Sequence, residues 1–92
     1  MYFVYILRCV DDSLYVGLTQ NLNTRLKAHN DGRGAAYTFK RRPVSLVYWE
    51  KFERESQAVE REGQLKRWSH AKKQALIEGE VVRLKQLSQR RS

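Results

Sequence analysis

The sequence contains very little cysteine and no long apolar segment. Cys9 is the only cysteine among 92 residues, so no disulfide can form within the chain and a reducing compartment is expected. No apolar run approaches the roughly 20 residues that a membrane-spanning helix needs. The first residues already have a strand pattern and lack the charged start of a signal peptide. We therefore expect no membrane association and a cytoplasmic location.

Several catalytic motifs are missing, and acidic residues are scarce. The chain has no Cys-x-x-Cys pair, no Ser/His/Asp order and no Gly-rich loop after a strand, which argues against structural zinc, acyl transfer and nucleotide hydrolysis. Ten acidic residues stand against 18 Lys and Arg, for a net charge of +8. This excess favours nucleic acid as a partner, because binding to phosphates releases counterions. The alternative is a basic protein without such a partner.

The length and composition indicate one small globular domain. The hydrophobic fraction of 41% is ordinary for a folded protein. A chain of this size has a limited core, although many such domains fold alone. We assign residues 1–79 to the domain and residues 80–92 to a short C-terminal extension, in which an apolar stripe recurs at helical spacing.

Three segments have the pattern of strands. Residues 2–9 are almost entirely apolar, which predicts a strand buried on both faces. The turn-forming residues 11–13 and a second strand over residues 14–18 complete an antiparallel hairpin. Residues 44–52 predict a third strand, with alternate residues on one face: Val44, Leu46 and Tyr48.

Capping residues and apolar spacing predict three helices. The helices cover about residues 22–30, 57–68 and 71–78, with N-caps at Asn21, Ser56 and Ser69 and a stop at Gly79. Leu22 and Leu26 would anchor the first helix, and residues 35–42 form an irregular basic loop. The order β-β-α-β-α-α predicts an α+β (α/β) fold, a three-stranded antiparallel sheet flanked by helices.

Two strand tyrosines lie beside a glycine. Tyr5 is in the first strand, Tyr15 is in the second, and Gly17 lies on the same face as Tyr15 two residues later. Tyrosine is common in strands and taken alone indicates only packing. Glycine weakens a strand and often marks a close approach, so we expect open space beside a phenol at Gly17.

One arginine and one histidine share a face of the first helix. Arg25 and His29 are four residues apart, which places them one turn from each other. A guanidinium fork and an imidazole in this arrangement can grip a phosphate, with the imidazole as donor or base. The alternative is a solvated arginine and a surface histidine.

Glu62 interrupts an apolar helical stripe. Ala58, Leu65 and Trp68 continue the stripe on either side of it. A carboxylate there is costly to bury unless it is paired or binds metal, and Mg²⁺ needs only one or two carboxylates besides waters and phosphates. The alternative is an ion pair with Lys66, one turn later.

Basic residues alternate with aromatic ones in the predicted loop. Such a mixture suits phosphate neutralisation and base stacking, although a solvated charge run is the alternative. The candidate nucleic-acid-binding residues are Tyr37, Lys40, Arg41, Arg42, Lys66 and Arg67.

Taken together, the pattern over residues 2–77 resembles the GIY-YIG nuclease superfamily, specifically its small stand-alone bacterial members. Phe3-Val4-Tyr5 occupies the GIY position and Tyr15-Val16-Gly17 the YIG position, followed by Arg25, His29 and Glu62 in the expected order. Each piece alone is weak, whereas their common order and spacing make a strong match.

The resemblance implies a role for each of these residues. Tyr15 would activate the attacking water, and Tyr5 would position water and phosphate. Arg25 would stabilise negative charge on the phosphate, Glu62 would be the single protein ligand of one Mg²⁺ (or Mn²⁺), and His29 would share the role of base. Leu18 replaces a lysine that some repair members have, and no DNA-recognition domain is present.

The resemblance therefore implies a metal-dependent DNA endonuclease, acting on branched, flapped or damaged DNA in repair, with a protein partner as a further source of specificity. A module that binds DNA or RNA without cutting it is the first alternative. An adaptor that docks through the apolar stripe of residues 81–87 is the second. Tests of metal-dependent cleavage separate the first two hypotheses, and deletion of residues 80–92 tests the third.

Overall fold

A computed structural model describes residues 1–79 and has the predicted α+β class. Its elements are β1 (Tyr2–Arg8), β2 (Leu14–Thr19), α1 (Leu22–Asn30), α2 (Ala36–Phe39), β3 (Ser45–Phe52), α3 (Glu55–Lys66) and α4 (His70–Glu78). None of the helices within this part of the chain has the length and apolar character that crossing a membrane requires. The apolar stripe of residues 81–87 lies outside the described residues.

The sheet is centred on β1. Its strand order is β2-β1-β3, and both pairs are antiparallel. Four consecutive residues of β1 are buried, as predicted for a strand covered on both faces: Val4, Tyr5, Ile6 and Leu7. Because side chains alternate along a strand, β1 contributes to two separate cores.

The two faces of β1 pack against different helices. Val4 and Ile6 form one core with Ala58 and Leu65 of α3. On the other face, Tyr5, Leu7, Cys9 and Val44 form a second core, against which Leu22 and Leu26 of α1 pack. The predicted anchoring of α1 through its two leucines is confirmed. A residue on β1 therefore faces either α1 or α3 according to its parity.

The predicted alternation of the third strand is wrong after Leu46. Leu7 pairs with Leu46, whereas its neighbour Ile6 pairs with Tyr48, so Val47 is an extra residue in the ladder. A bulge of this kind shifts the alternation by one position. Val44 and Leu46 consequently contact the second core, while Tyr48 packs against the first.

The capping predictions are correct for α1 and α4 but not for α3. Asn21 accepts a hydrogen bond from the amide of Thr24, and Ser69 accepts one from the amide of Lys72. Helix α4 ends at Gly79, whose φ of 73° is left-handed. Helix α3 begins one residue before Ser56 with no side-chain cap at its start, and it ends at Lys66 rather than Trp68. An acidic residue in its first turn, Glu55, suits the helix dipole there.

The predicted irregular loop contains a short helix. Residues 36–39 form α2, a single turn with no capping side chain at its start. Sequence patterns do not detect one isolated turn, because it lacks both periodicity and a cap. This turn lies between α1 and β3 in the chain and contacts α1.

Candidate active site

The ring of Tyr5 lies over Gly17 on the neighbouring strand. The two residues are direct partners in the β1–β2 register. A Cβ on Gly17 would overlap the ring and hydroxyl of Tyr5. The expectation of open space at Gly17 is therefore corrected: the space exists, but the Tyr5 ring fills it. Glycine is required here because β1 directs a large ring across the backbone of β2.

Tyr5 begins a buried chain of hydrogen bonds. Its hydroxyl is 2.9 Å from Nε2 of His29, and Nδ1 of His29 is 2.8 Å from Oγ1 of Thr38. His29 is 1% exposed and Thr38 is fully buried. Both nitrogens of the imidazole are hydrogen-bonded inside the protein. The expectation that His29 binds a phosphate together with Arg25 is therefore corrected. His29 is a partner of Tyr5 instead.

Electrostatics keep Tyr5 and His29 uncharged near neutral pH. The pKa of Tyr5 is raised, mainly by burial and next by the nearby Tyr15. The charge of Arg25 lowers this pKa in part, and the charge of Glu62 adds a smaller increase. Burial and then the Arg25 charge lower the pKa of His29. A neutral imidazole therefore faces a neutral phenol. The three residues whose charges act on Tyr5 come from β2, α1 and α3: Tyr15, Arg25 and Glu62.

Tyr15 is more exposed than Tyr5 and is held by aromatic contacts. Its ring is 5.3 Å from the His29 ring, edge to face, and is stacked on Tyr37 with centroids 5.9 Å apart. The guanidinium of Arg41 lies 3.9 Å from the centre of the Tyr37 ring and also binds Asp11 at 3.1 Å. The Tyr37 ring, predicted to stack on nucleic-acid bases, thus stacks on Tyr15 within the protein.

Arg25 stands at the rim of a surface groove. It is half-buried on α1, one turn before His29, and its charge influences both His29 and Tyr5. The groove has a volume of about 570 Å³ and is mostly polar. Its lining is Tyr2, Leu18, Thr19, Gln20, Asn21, Thr24, Arg25, Ala28, Arg33 and Glu55. A guanidinium at the edge of an open polar groove can contact a phosphate that enters from solvent.

Glu62 lies at the border of the α3 stripe, with a side chain that is 22% exposed. Its carboxylate is 3.4 Å from the ammonium of Lys66, which is the ion pair expected as the alternative. Its charge nonetheless contributes to the raised pKa of Tyr5. Residues 1–79 contain no cluster of three or more metal-ligating side chains.

The donor set at Glu62 fits one hard cation. A single carboxylate is enough for Mg²⁺ when waters and substrate phosphates complete the coordination. The carboxylate already attracts a cation in the form of the Lys66 ammonium. Since the Lys66 side chain is 53% exposed, it can move into solvent and leave the carboxylate to an ion. Glu62 is therefore the residue that would hold a metal here.

Two of the predicted nucleic-acid-binding arginines hold the loop in place. Arg41 donates to the carbonyl of Tyr37, and Arg42 donates to the carbonyl of Phe39 and covers the Phe39 ring. These contacts give both side chains a structural role that the sequence pattern did not indicate. Lys40 and Arg67 are exposed, and binding of nucleic acid by any of these residues stays a prediction.

A second depression lies beside Tyr15. Its volume is about 330 Å³, and its lining includes Tyr15, Tyr37, Lys66 and Lys73. Arg25 and Arg33 line the first groove, so each of the two depressions has two positive side chains in its lining. Thr38 is the residue that sequence reasoning missed. No local pattern indicates it, because its contact with His29 depends on the turn at α2.

Comparisons with known proteins agree on one family. The model described as "GIY-YIG catalytic domain" matches residues 1–75. The UPF0213 protein CPE1444 of Clostridium perfringens is 48% identical over 83 residues, covering 90% of this chain and 89% of that protein. A UPF0213 protein of Staphylococcus aureus is 49% identical over 76 residues, covering 83% and 93%.

Two solved structures are also similar. The solution NMR structure of the UPF0213 protein BH0048 from Bacillus halodurans is 39% identical, with a TM-score of 0.56, covering 85% of this chain and 84% of that one. The structure of EF2693 from E. faecalis is 39% identical, with a TM-score of 0.59 and coverage of 85% and 83%. Each alignment thus spans most of both chains.

Proposed function

The chain belongs to the GIY-YIG family, and from that premise we propose that it is a metal-dependent endonuclease that hydrolyses phosphodiester bonds in DNA. Its relatives carry the UPF0213 name, which states no activity. The proposed catalytic residues are Tyr5, Tyr15, Arg25 and His29, and the proposed metal ligand is Glu62. One ion of Mg²⁺ or Mn²⁺ is the proposed cofactor.

One observation carries the proposal. The buried hydroxyl of Tyr5 is hydrogen-bonded to His29, whose ring contacts the ring of Tyr15 edge to face. The charges of Arg25 and Glu62 act on the same phenol. A packing core has no use for a guanidinium, a carboxylate and two phenols in one neighbourhood, because charged groups are costly to bury. Phosphodiester hydrolysis uses all three residue types.

The hydrogen bond from Tyr5 to His29 supplies a route for the proton. A tyrosine with an ordinary pKa near 10 is a poor base at neutral pH unless its own proton can leave. Tyr5 takes a proton from the attacking water while it donates its own proton to the neutral Nε2 of His29, 2.9 Å away. The imidazole becomes charged, and the phenol is restored.

Arg25 and Glu62 act on the phosphate. The guanidinium of Arg25 binds the non-bridging oxygens as negative charge develops on them. Glu62 would hold the divalent ion, which when bound polarises the phosphate and steadies the leaving oxygen. Tyr15, the more exposed phenol, orients the attacking water while Tyr37 stacks against its ring.

The proposal is tested with labelled duplex and branched DNA, incubated with Mg²⁺, with Mn²⁺ or with a chelator. Glu62→Gln and Arg25→Gln should each lower cleavage by about 10²–10³-fold, the usual cost of losing one group that stabilises transition-state charge. Glu60→Gln is the matched control for Glu62 on the same helix, and the exposed Arg54→Gln is the control for Arg25. Cleavage that survives both site variants would indicate a contaminant or another site.

We further propose a class of DNA substrate, a pathway and a cellular location. The proposed source of selectivity is DNA shape, as in branched, flapped or damaged DNA, or a protein partner. Repair is the pathway that such substrates suggest, and the cytoplasm is the expected location. Comparing branched, nicked and linear substrates with RNA of the same sequence tests this preference.

A binding module that cuts nothing is the second candidate. The observation that favours it is the pair of positive side chains that lines each of the two depressions, Arg25 with Arg33 and Lys66 with Lys73. Such a module would bind DNA or RNA with an affinity that falls steeply with salt. Glu62→Gln would leave its affinity unchanged with or without divalent ions, whereas the nuclease would lose its dependence on the ion.

A further inference from the structure

Thr38 occupies a position that the proposed reaction leaves unexplained. It is fully buried on α2, a single turn that follows α1. Its hydroxyl oxygen is 2.8 Å from Nδ1 of His29 and 3.1 Å from the carbonyl oxygen of Ala35. A hydroxyl that is buried between an imidazole and a carbonyl has few ways to arrange its single hydrogen.

The number of available hydrogens determines which groups donate in the hydrogen-bonded series Tyr5, His29, Thr38 and Ala35. The hydroxyl of Thr38 donates its one hydrogen to the carbonyl of Ala35, so toward His29 its oxygen accepts. Nδ1 of His29 must then carry the hydrogen, which leaves Nε2 with a lone pair that accepts from Tyr5. This direction also uses the phenol as donor, and a phenol is a better donor to a neutral imidazole than the reverse. The hydrogen positions follow from the network.

The surroundings keep the imidazole in this arrangement. The backbone at Gly34 lies against the ring, and a Cβ there would overlap Nδ1 and Cγ of His29. Within residues 1–79, no buried side-chain nitrogen or oxygen lacks a hydrogen-bond partner. The lowered pKa of His29 agrees with an uncharged ring. The ring therefore has a fixed position and a complete set of partners.

We propose that Thr38 is a positioning residue that holds His29 in the Nδ1–H tautomer, so that Nε2 is kept as the acceptor for the Tyr5 proton. In neutral histidine, the hydrogen bond at one nitrogen determines which form the other nitrogen takes. The catalytic consequence rests on the proposed nuclease function, whereas the tautomer itself does not. Helix α2 thus provides the acceptor that selects the form of the base.

The tautomer is measured directly by NMR on protein with ¹⁵N-labelled histidine. In the unaltered protein, Nδ1 of His29 should have the signal of a protonated nitrogen and Nε2 that of an unprotonated one. Thr38→Val removes the hydroxyl at nearly constant volume and should produce the Nε2–H form, whereas Thr38→Ser keeps the acceptor and the original form. If the valine variant does not fold, Thr38→Ala takes its place.

Two results would overturn the proposal. One is a hydrogen on Nε2 in the unaltered protein, which needs no variant to detect. The other is a folded Thr38→Val protein that retains Nδ1–H as its sole form.

A second measurement tests the catalytic consequence. Thr38→Val should lower kcat for DNA cleavage about 10–100-fold, the usual effect of removing a partner that orients a functional histidine, with KM unchanged. Thr38→Ser should restore most of the activity. An unchanged kcat alongside an altered tautomer would remove the catalytic role. If no form of the protein cleaves DNA, the nuclease proposal fails while the spectra still decide the tautomer.

Discussion

The aromatic ring of Tyr5 occupies the position that a side chain on Gly17 would fill. The two residues face each other across β1 and β2, so neither can change size without affecting the other. This contact directs the phenol toward His29. A packing relationship in the sheet therefore determines where a candidate catalytic group lies.

Gly17→Ala should be strongly destabilising. The added methyl overlaps the Tyr5 ring, and overpacking of this kind typically costs about 1–3 kcal/mol. The free energy of unfolding is measured with urea. Gly63→Ala is the matched control, because its Cβ would meet only the end of Arg67 at 3.6 Å. That change should stabilise α3 by roughly 1 kcal/mol. Equal stability of Gly17→Ala and the unaltered protein would contradict the packing relationship.

Stability should decrease when the protein is acidified below the ordinary pKa of histidine. His29 has a lowered pKa in the folded state, with Tyr5, Tyr15, Thr38 and Arg25 around it. The unfolded chain then binds more protons than the folded one as pH falls below 6.5. The neutral imidazole therefore contributes fully to the free energy of unfolding above pH 6.5. This contribution is lost as the pH falls from 6.5 toward the pKa of His29 in the folded protein.

Urea unfolding from about pH 7.5 to about pH 5.5 measures this dependence. His29→Gln should be less stable throughout, because it disrupts the buried hydrogen bonds, and it should lose the dependence in this window. A flat profile for the unaltered protein would show that His29 does not link protonation to folding.

Glu50 and Arg61 should contribute to stability away from the site. Two guanidinium nitrogens of Arg61 donate to the Glu50 carboxylate at 2.9 Å, and Tyr48 donates to it as well. Burial alone would raise the pKa of Glu50, but the bonds from Arg61 and Tyr48 outweigh burial and lower it. Glu50→Gln should cost about 2 kcal/mol at neutral pH, as expected for hydrogen bonds to a charged group.

The pH dependence distinguishes this effect from simple packing. A lowered carboxyl pKa stabilises the fold above the ordinary value of 4.5, and the contribution disappears as pH falls through the folded pKa. The difference in the free energy of unfolding between Glu50→Gln and the unaltered protein should therefore decrease as the pH is lowered. Glu60→Gln, on the exposed side of α3, should change stability by less than about 0.5 kcal/mol at any pH. A deficit that stays constant into acid would argue against the ionic contribution.

Removing Lys66 should strengthen metal binding at Glu62. The ammonium of Lys66 competes with a divalent ion for the carboxylate, from which it is 3.4 Å away. Exposed ion pairs are worth about 0.2–1 kcal/mol, so Lys66→Met should increase the apparent affinity by up to about 5-fold. Broadening of the Glu62 amide signal by Mn²⁺, without DNA, measures it.

Two controls accompany the metal titration. Lys51→Met removes an exposed lysine from β3 and should leave the affinity unchanged. Glu62→Gln should abolish the specific broadening. Broadening that is centred on another part of the chain would place the ion away from Glu62.

The local patterns predicted the strands and two of the three helix caps well. Asn21 and Ser69 cap their helices because a cap depends only on the residue and the next turn. The burial of β1 followed from its apolar run for a similar reason. The bulge at Val47 and the turn at α2 were not predicted, because pairing with another strand and packing against α1 produce them.

Some features of the candidate site were likewise evident in the sequence, and others depend on the tertiary structure. The residue types and their order, with two strand tyrosines, a helical arginine and a glutamate inside an apolar stripe, were evident in the sequence. The sequence also left Lys66 as a partner for Glu62, and the structure contains that ion pair. It could not show that Arg41 and Arg42 support the loop, since their partners lie on backbone carbonyls and rings.

The amino-acid sequence by itself determined the family, the fold class and which side chains are available for chemistry, because these depend on local pattern and order. Only the tertiary structure decided that the Tyr5 ring fills the space at Gly17 and that His29 is buried between Tyr5 and Thr38. Hydrogen bonds and overlaps between distant residues depend on distances of a few ångströms, and those distances exist only once β1, β2, α1 and α2 have packed together.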